Sequence, residues 1–153
     1  MPLEAIIKSI FPMGSEKKTI LNIIYTKNVI SDKFNELLKP FEISEEQYNV
    51  LRILRGQKGI PCNMFTIQER MLAKTSNTTR LVDKLLLKEL VNRAVCPENR
   101  RKMEISITQK GLNILSELDA SVIEHEHFFS LILTQEELTQ LNLLLEKYRT
   151  ITN

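Results

Sequence analysis

The sequence predicts a mainly α-helical protein carrying one small β-hairpin. Three observations lead there. Apolar residues recur at three-and-four spacing over most of the 153 residues. Ser/Thr-x-x-Glu/Gln signatures at Ser44, Thr66 and Thr134, of the kind that cap helix starts, punctuate the chain. Only residues 102–108 alternate strictly, with Met103, Ile105 and Ile107 on one side and Lys102, Glu104, Ser106 and Thr108 on the other.

Taken in order, residues 16–38 place Ile20, Ile23, Ile24, Ile30, Phe34, Leu37 and Leu38 on one stripe, and Pro40 closes the helix. Ser44 and Gln47 form a capping box for a second helix, which carries Val50, Leu51, Ile53 and Leu54 to a stop at Gly56. After an irregular piece with Gly59 and Pro61, a second box at Thr66 to Glu69 is expected to open a helix of about two turns ending at Ala73. Thr75 or Ser76 is expected to cap the next helix. Its apolar side holds Leu81, Val82, Leu85, Leu86 and Leu90, and its opposite side holds Asn77, Arg80, Lys84 and Lys88. Residues 90–96 and 102–108 read as two strands, joined by a charged tip that includes Pro97, Glu98, Asn99, Arg100 and Arg101. A helix follows from Thr108 towards Phe129, and a third box at Thr134 to Glu137 opens a last helix with Leu138, Leu141, Leu144, Leu145 and Tyr148.

Composition narrows the function. With 42% hydrophobic and 26% charged residues, the chain has the balance of a water-soluble protein with one core. No apolar run reaches the ~20 residues of a membrane span, and the N-terminus lacks a secretory signal, so a cytoplasmic location is expected. Cys62 and Cys96 form no CxxC pair. Net charge is only +2, but residues 66–111 hold ten Lys/Arg against five Asp/Glu, so the basic charge is concentrated in the middle third. No nucleophile with a base, glycine-rich phosphate loop or paired acids is present to suggest an enzyme, and no cofactor is implied. His125 and His127 lie two apart on a helix and diverge, so a metal site is not expected there.

A short helix, a turn, a basic-faced helix and a charged hairpin, in that order, form a winged helix-turn-helix. Such a unit sets its second helix in the DNA major groove, where short polar side chains at the helix start meet base edges; Ser76, Asn77, Thr78 and Arg80 lie there. Arg100, Arg101 and Lys102 at the hairpin tip suit phosphates or the minor groove. Two other readings share these features: a winged helix that docks an acidic protein, and a redox-responsive regulator using Cys96 beside Arg93 and Arg100.

The stretch TIQERMLAKTSNTTRLVDKLLLKELVNRAVCPENRRKMEISITQKG, residues 66–111, resembles the MarR-type regulators, winged-helix homodimers that bind operator DNA. TSNTTRLVDKL is similar to their recognition helix, and NRRKMEISITQKG to their wing followed by the T-x-x-G start of the next helix. Three departures stand out. Asn99 replaces the wing acid that usually precedes the arginine kept here as Arg101; Cys96 replaces a second wing acid; Glu89 replaces the glycine after the recognition helix. A non-glycine residue at this last position implies either a strained left-handed cap or a helix that ends differently.

The resemblance implies one domain over 1–153, with 42–107 as the winged helix-turn-helix and 1–41 and 108–153 as dimerisation helices. It implies a DNA interface of Thr66, Gln68, Ser76, Asn77, Thr78, Arg80, Lys84, Arg100, Arg101 and Lys102, and a homodimer built on Ile20, Ile23, Ile24, Leu138, Leu141, Leu145 and Tyr148. The partner would be a palindromic duplex with half-sites about 10 base pairs apart. It further implies a repressor released by a small aromatic or anionic effector that binds between the dimerisation and DNA-binding parts.

Overall fold

The computed structural model describes residues 1–152. It begins with a one-turn helix, α1 (Leu3–Ile6), which hydrophobic spacing alone does not signal, and the long amphipathic helix α2 (Ser15–Leu38). A Lys18–Glu4 ion pair of 2.8 Å links them, and the Lys18 ammonium holds the Glu4 carboxyl below its usual range. A 3-10 turn at Lys39–Phe41 leads to α3 (Glu45–Gly56). The Ser44 cap forms as the sequence indicates: its Oγ accepts from the Gln47 N–H at 3.1 Å, and the Gln47 side chain accepts from the Ser44 N–H at 3.0 Å. Phe34 and Tyr48 pack edge to face at 5.1 Å, joining α2 to α3.

Next come a short strand β1 (Cys62–Asn63), α4 (Met64–Arg70), α5 (Thr78–Leu87), β2 (Val91–Val95) and β3 (Met103–Ile107). The β2–β3 hairpin pairs antiparallel, Val91 with Ile107 and Val95 with Met103. β1 adds a third strand that the sequence pattern did not reveal, with Cys62 opposite Ile105 and Asn63 opposite Glu104. Its two residues are too few to show a period of two.

Two helix starts differ from expectation. α4 is capped by Asn63, whose Oδ1 accepts the Thr66 N–H at 2.9 Å, so Thr66 lies inside the first turn and does not open it. The helix also ends at Arg70, short of Ala73, because Met71 turns extended and buries its side chain while the Leu72 N–H is taken by Asn49 of α3 at 2.9 Å. α5 is capped by Asn77, accepting the Arg80 N–H at 3.1 Å, and not by Thr75 or Ser76.

Val50, Leu51, Ile67, Val82, Leu85, Leu90, Ile105 and Leu115 are fully buried and form the core under α5 and the hairpin. Burial of each such side chain is worth about 1.5–3 kcal/mol, which is what holds the basic-faced helix against the sheet. At the end of α5, Glu89 takes φ +60°, so the left-handed cap is kept without a glycine.

The helix α6 (Gln109–Ser130) runs out of this core, and α7 (Gln135–Arg149) follows with the Thr134–Glu137 capping box formed. The chain divides into two compact units, one of residues 1–118 and the other from Asp119 onward. The division falls inside α6. Leu115 and Leu118 bury themselves in the first unit, and beyond them the helix has no fully buried residue. Asn153, the last residue of the expected 108–153 segment, lies outside the described residues. No helix among the described residues is long and apolar enough to cross a membrane.

Candidate nucleic-acid interface

The start of α5 is positioned by polar side chains reaching in from two other helices. Asn49 of α3 holds the turn through the Leu72 N–H. Glu46, one turn earlier on α3, accepts a hydrogen bond from the Ser76 hydroxyl at 2.9 Å. Gln68 of α4 donates through Nε2 to the Lys74 carbonyl at 2.7 Å and accepts from the Thr78 hydroxyl through Oε1. The turn between α4 and α5 is therefore fixed by side chains, as its own backbone offers few partners.

Internal hydrogen bonds engage three of the expected contact residues, of which Thr78 is buried and Thr66 and Gln68 are half-buried. Thr78 is 4% exposed and faces Gln68, so it cannot reach a base edge. Gln68 uses both ends of its amide inside the motif. Thr66 donates its hydroxyl to the Asn63 cap at 3.1 Å and lines a small cavity, of about 240 Å³, behind the sheet edge. In each case a polar side chain finds its partner within the protein instead of in water.

Asn77, Arg80 and Lys84 remain exposed on the outer face of α5, and Ser76 is half-buried beside Glu46. Arg100, Arg101 and Lys102 are all exposed at the hairpin tip. That tip is a hydrogen-bonded turn: the Cys96 N–H donates to the Lys102 carbonyl at 2.9 Å, and the Lys102 N–H to the Asn99 carbonyl at 2.9 Å. The Asn99 side chain accepts the Arg101 N–H at 3.0 Å, so without a charge it still orders the arginine's backbone.

A groove of about 570 Å³ joins the two elements. Thr79 from the first turn of α5, Arg93 from β2, and Arg101 and Lys102 from the wing share its walls, and Met64, Phe65 and Met103 supply apolar lining. Helix start and wing thus share one concave, cationic face. Thr79, Arg93 and Phe65 were not foreseen. Thr79 was hidden by its neighbour Thr78, and the side of α5 each occupies depends on the cap being Asn77. Arg93 pairs with Asp83 at 2.8 Å, which fixes it along the α5 flank. Phe65 is 71% exposed, a large apolar side chain at the mouth of a charged groove.

On the opposite flank of α5, a wider groove of about 630 Å³ is bordered by Glu42, Glu46, Leu81, Lys84, Leu87 and Lys88. Lys88 donates its ammonium to the Glu42 carbonyl, so one member of the basic stripe is committed within the protein. Among the described residues, no group of three or more His, Cys, Asp or Glu is arranged to hold a metal ion.

The hydrophobic residues expected at an interface between chains are exposed to differing degrees. In the first unit Ile20, Ile23 and Ile24 are 48%, 37% and 52% exposed. In the second, Leu141 and Tyr148 are exposed, and Leu138 and Leu145 are half-buried.

A helix-turn-helix with an Arg-tipped hairpin, both on one cationic face, defines a winged-helix DNA-binding protein of the transcription-regulator class. The sequence pattern of the MarR family matches residues 43–103, and the chain belongs to that family. The HTH-type transcriptional regulator MhqR of Bacillus subtilis is 28% identical over 106 residues, covering 68% of this chain and 72% of that protein. The crystal structure of a MarR transcription factor from Planctomyces limnophilus superposes with a TM-score of 0.67 at 31% identity, covering 89% of this chain and 98% of that one. Bordetella bronchiseptica BpsR, whose DNA binding is regulated by 6-hydroxynicotinic acid, has a TM-score of 0.79 at 16% identity, covering 92% and 99%. The chain is a transcriptional regulator and not an enzyme.

Proposed function

We propose that the protein is a homodimeric repressor that binds a palindromic operator and releases it when a small molecule binds. The observation that carries the DNA arm is the shared groove: Thr79 at the start of α5 and Arg101 and Lys102 of the wing line one cavity. A major-groove helix and a backbone-clasping hairpin must present themselves on one side to engage a single duplex. Asn77, Arg80 and Lys84 then face bases and phosphates in the major groove, and Arg100, Arg101 and Lys102 follow the backbone beyond it. Acting on operator DNA places the protein in the cytoplasm.

Dimerisation is supported by the apolar stripe of α2, where Ile20, Ile23 and Ile24 stand in water, and by Leu141 and Tyr148 on α7. A lone chain gains nothing from such exposure, whereas a two-fold partner would cover it and set two recognition helices about 34 Å apart. On this reading residues 1–41 and 108–153 form the dimer region of one domain. Release by an effector is supported by the composition of the same groove, which lies within the winged helix-turn-helix and not between it and the dimerisation helices: Arg101 and Lys102 border the apolar Met64, Phe65 and Met103. That combination suits a small aromatic anion.

Selection of bound sequences from a random duplex pool tests the reading. A palindrome with half-sites about 10 base pairs apart is expected. Recovery of no preferred sequence would overturn it. Sedimentation should give a dimer, and a panel of aromatic carboxylates and phenols should contain a compound that lowers operator affinity; a panel without effect removes the release arm.

A further inference from the structure

Resting on the DNA-binding reading above, we propose that Glu46 is a specificity-determining residue, one that discriminates against phosphate at the start of the recognition helix. Its carboxylate belongs to α3, yet its Oε1 lies 2.9 Å from the hydroxyl of Ser76, the residue just before the Asn77 cap of α5. Glu46 is exposed, so its charge faces the solution that a duplex would enter.

The physical tension is between two uses of one helix end. The start of a ten-residue helix presents free N–H groups and a positive dipole end, which attract any phosphate whatever the sequence. Non-specific binding is built from such contacts. A fixed carboxylate at the same place opposes a phosphate but not a base edge, and amino groups of cytosine or adenine are drawn to it. Discrimination between partners is a difference of affinities, gained as well by penalising the wrong one as by favouring the right one.

The charge layout around α5 fits this division. The wing flank holds Arg101 and Lys102 beside Thr79, ready for backbone phosphates, with Arg93 paired to Asp83 behind them. The other flank holds Glu42 and Glu46 with Lys84 and Lys88, and Lys88 is already bonded to the Glu42 carbonyl. Phosphate attraction is therefore strong on one side of the helix and countered on the other. The tie to Ser76 matters as well, because a carboxylate on a freely rotating side chain would swing away from an approaching phosphate, and a hydrogen-bonded one is held in place.

The test is Glu46→Gln, which keeps an acceptor for Ser76 and removes the charge, measured against the selected operator and against random duplex over a range of salt. Glu117→Gln, an exposed acid on α6, controls for net charge. Loss of one repulsive charge should tighten random-duplex binding roughly fivefold and operator binding less than about twofold, so the specificity ratio falls. The difference should shrink at high salt. Equal change on both duplexes, an effect matched by Glu117→Gln, no change, or loss of operator affinity alone would each overturn the proposal. If the unaltered protein itself shows no salt-dependent preference for one duplex, the failure lies with the DNA-binding reading, and the wild-type arm reveals it separately.

Discussion

The carbonyl oxygen of Leu90 lies so close to Gly111 that a β-carbon added there would sit 2.5 Å from it, and 2.8 Å from Ile107 Cγ1. The first turn of α6 is pressed against the start of β2 and the end of β3, and Thr108 completes the joint: its hydroxyl donates to the Glu89 carbonyl at 2.8 Å and accepts the Gly111 N–H at 3.0 Å. The T-x-x-G sequence is thus a packing device that fastens the wing to the helix leaving the winged domain. Gly111→Ala should destabilise the protein by about 2 kcal/mol despite the better helix propensity of alanine, because the clash is with backbone that cannot rotate away. Urea denaturation checks this, and an unchanged midpoint would show that α6 shifts without cost.

Glu89 offers the reverse change. It holds φ +60°, a conformation that costs a side chain but not a glycine, and its ion pair with Lys110, at 3.6 Å, is exposed. Glu89→Gly should raise stability by about 0.5–1 kcal/mol, seen as a rise of a few degrees in Tm. A fall would mean that the flexibility added to the unfolded chain outweighs the relieved strain.

Asn77 has two roles that substitution can separate. Its side chain caps α5, so Asn77→Ala should cost about 1 kcal/mol of stability in the absence of DNA, and Asn77→Ser should restore most of that. If Asn77 also reads a base, Asn77→Ser stays folded but loses about 1–3 kcal/mol on the operator and little on random duplex. Equal losses on both duplexes would leave it as a cap alone.

At the wing, Arg101→Ala should weaken binding to all duplexes and lower the salt slope by about 1, because one phosphate contact is removed. Asn99→Ala should act in the same direction more mildly, by releasing the Arg101 backbone from its 3.0 Å hydrogen bond. Affinity that is unchanged at moderate salt in both variants would exclude the wing from the interface.

The two cysteines should differ in reactivity. Cys62 is 7% exposed, and burial pushes its thiol up from the usual range, with Arg70 opposing weakly. Cys96 is half-exposed at the wing base. Iodoacetamide should label Cys96 at least about tenfold faster than Cys62, since the thiolate is the reacting form and access favours Cys96. Mass spectrometry after timed quenching distinguishes them, and comparable rates would show that the sheet edge opens readily.

Much of this architecture was legible because it is written in short-range patterns. The caps at Ser44 and Thr134 formed as their spacing dictates, the alternation at 102–108 became β3, and the charged tip became an exposed turn. The errors cluster at the helix-turn-helix. Thr66 to Glu69 matches the capping pattern, but Asn63 is a competent cap residue without it, and Asn63, paired with Glu104 across the sheet, starts α4 at the earlier residue. Thr75, Ser76, Asn77 and Thr78 are all competent caps; sequence could not choose among four neighbours of similar chemistry.

Local patterning suffices for the long helices, the hairpin turn and the gathering of cations, because each of these depends on residues a few positions apart. Which polar side chains at the start of α5 stay free is settled by packing between distant segments. Gln68 claims Thr78, Glu46 claims Ser76, and Asn49 claims the turn, and these partners lie ten to thirty residues away. A buried donor takes whatever acceptor the packing brings to it, and no local pattern encodes that choice.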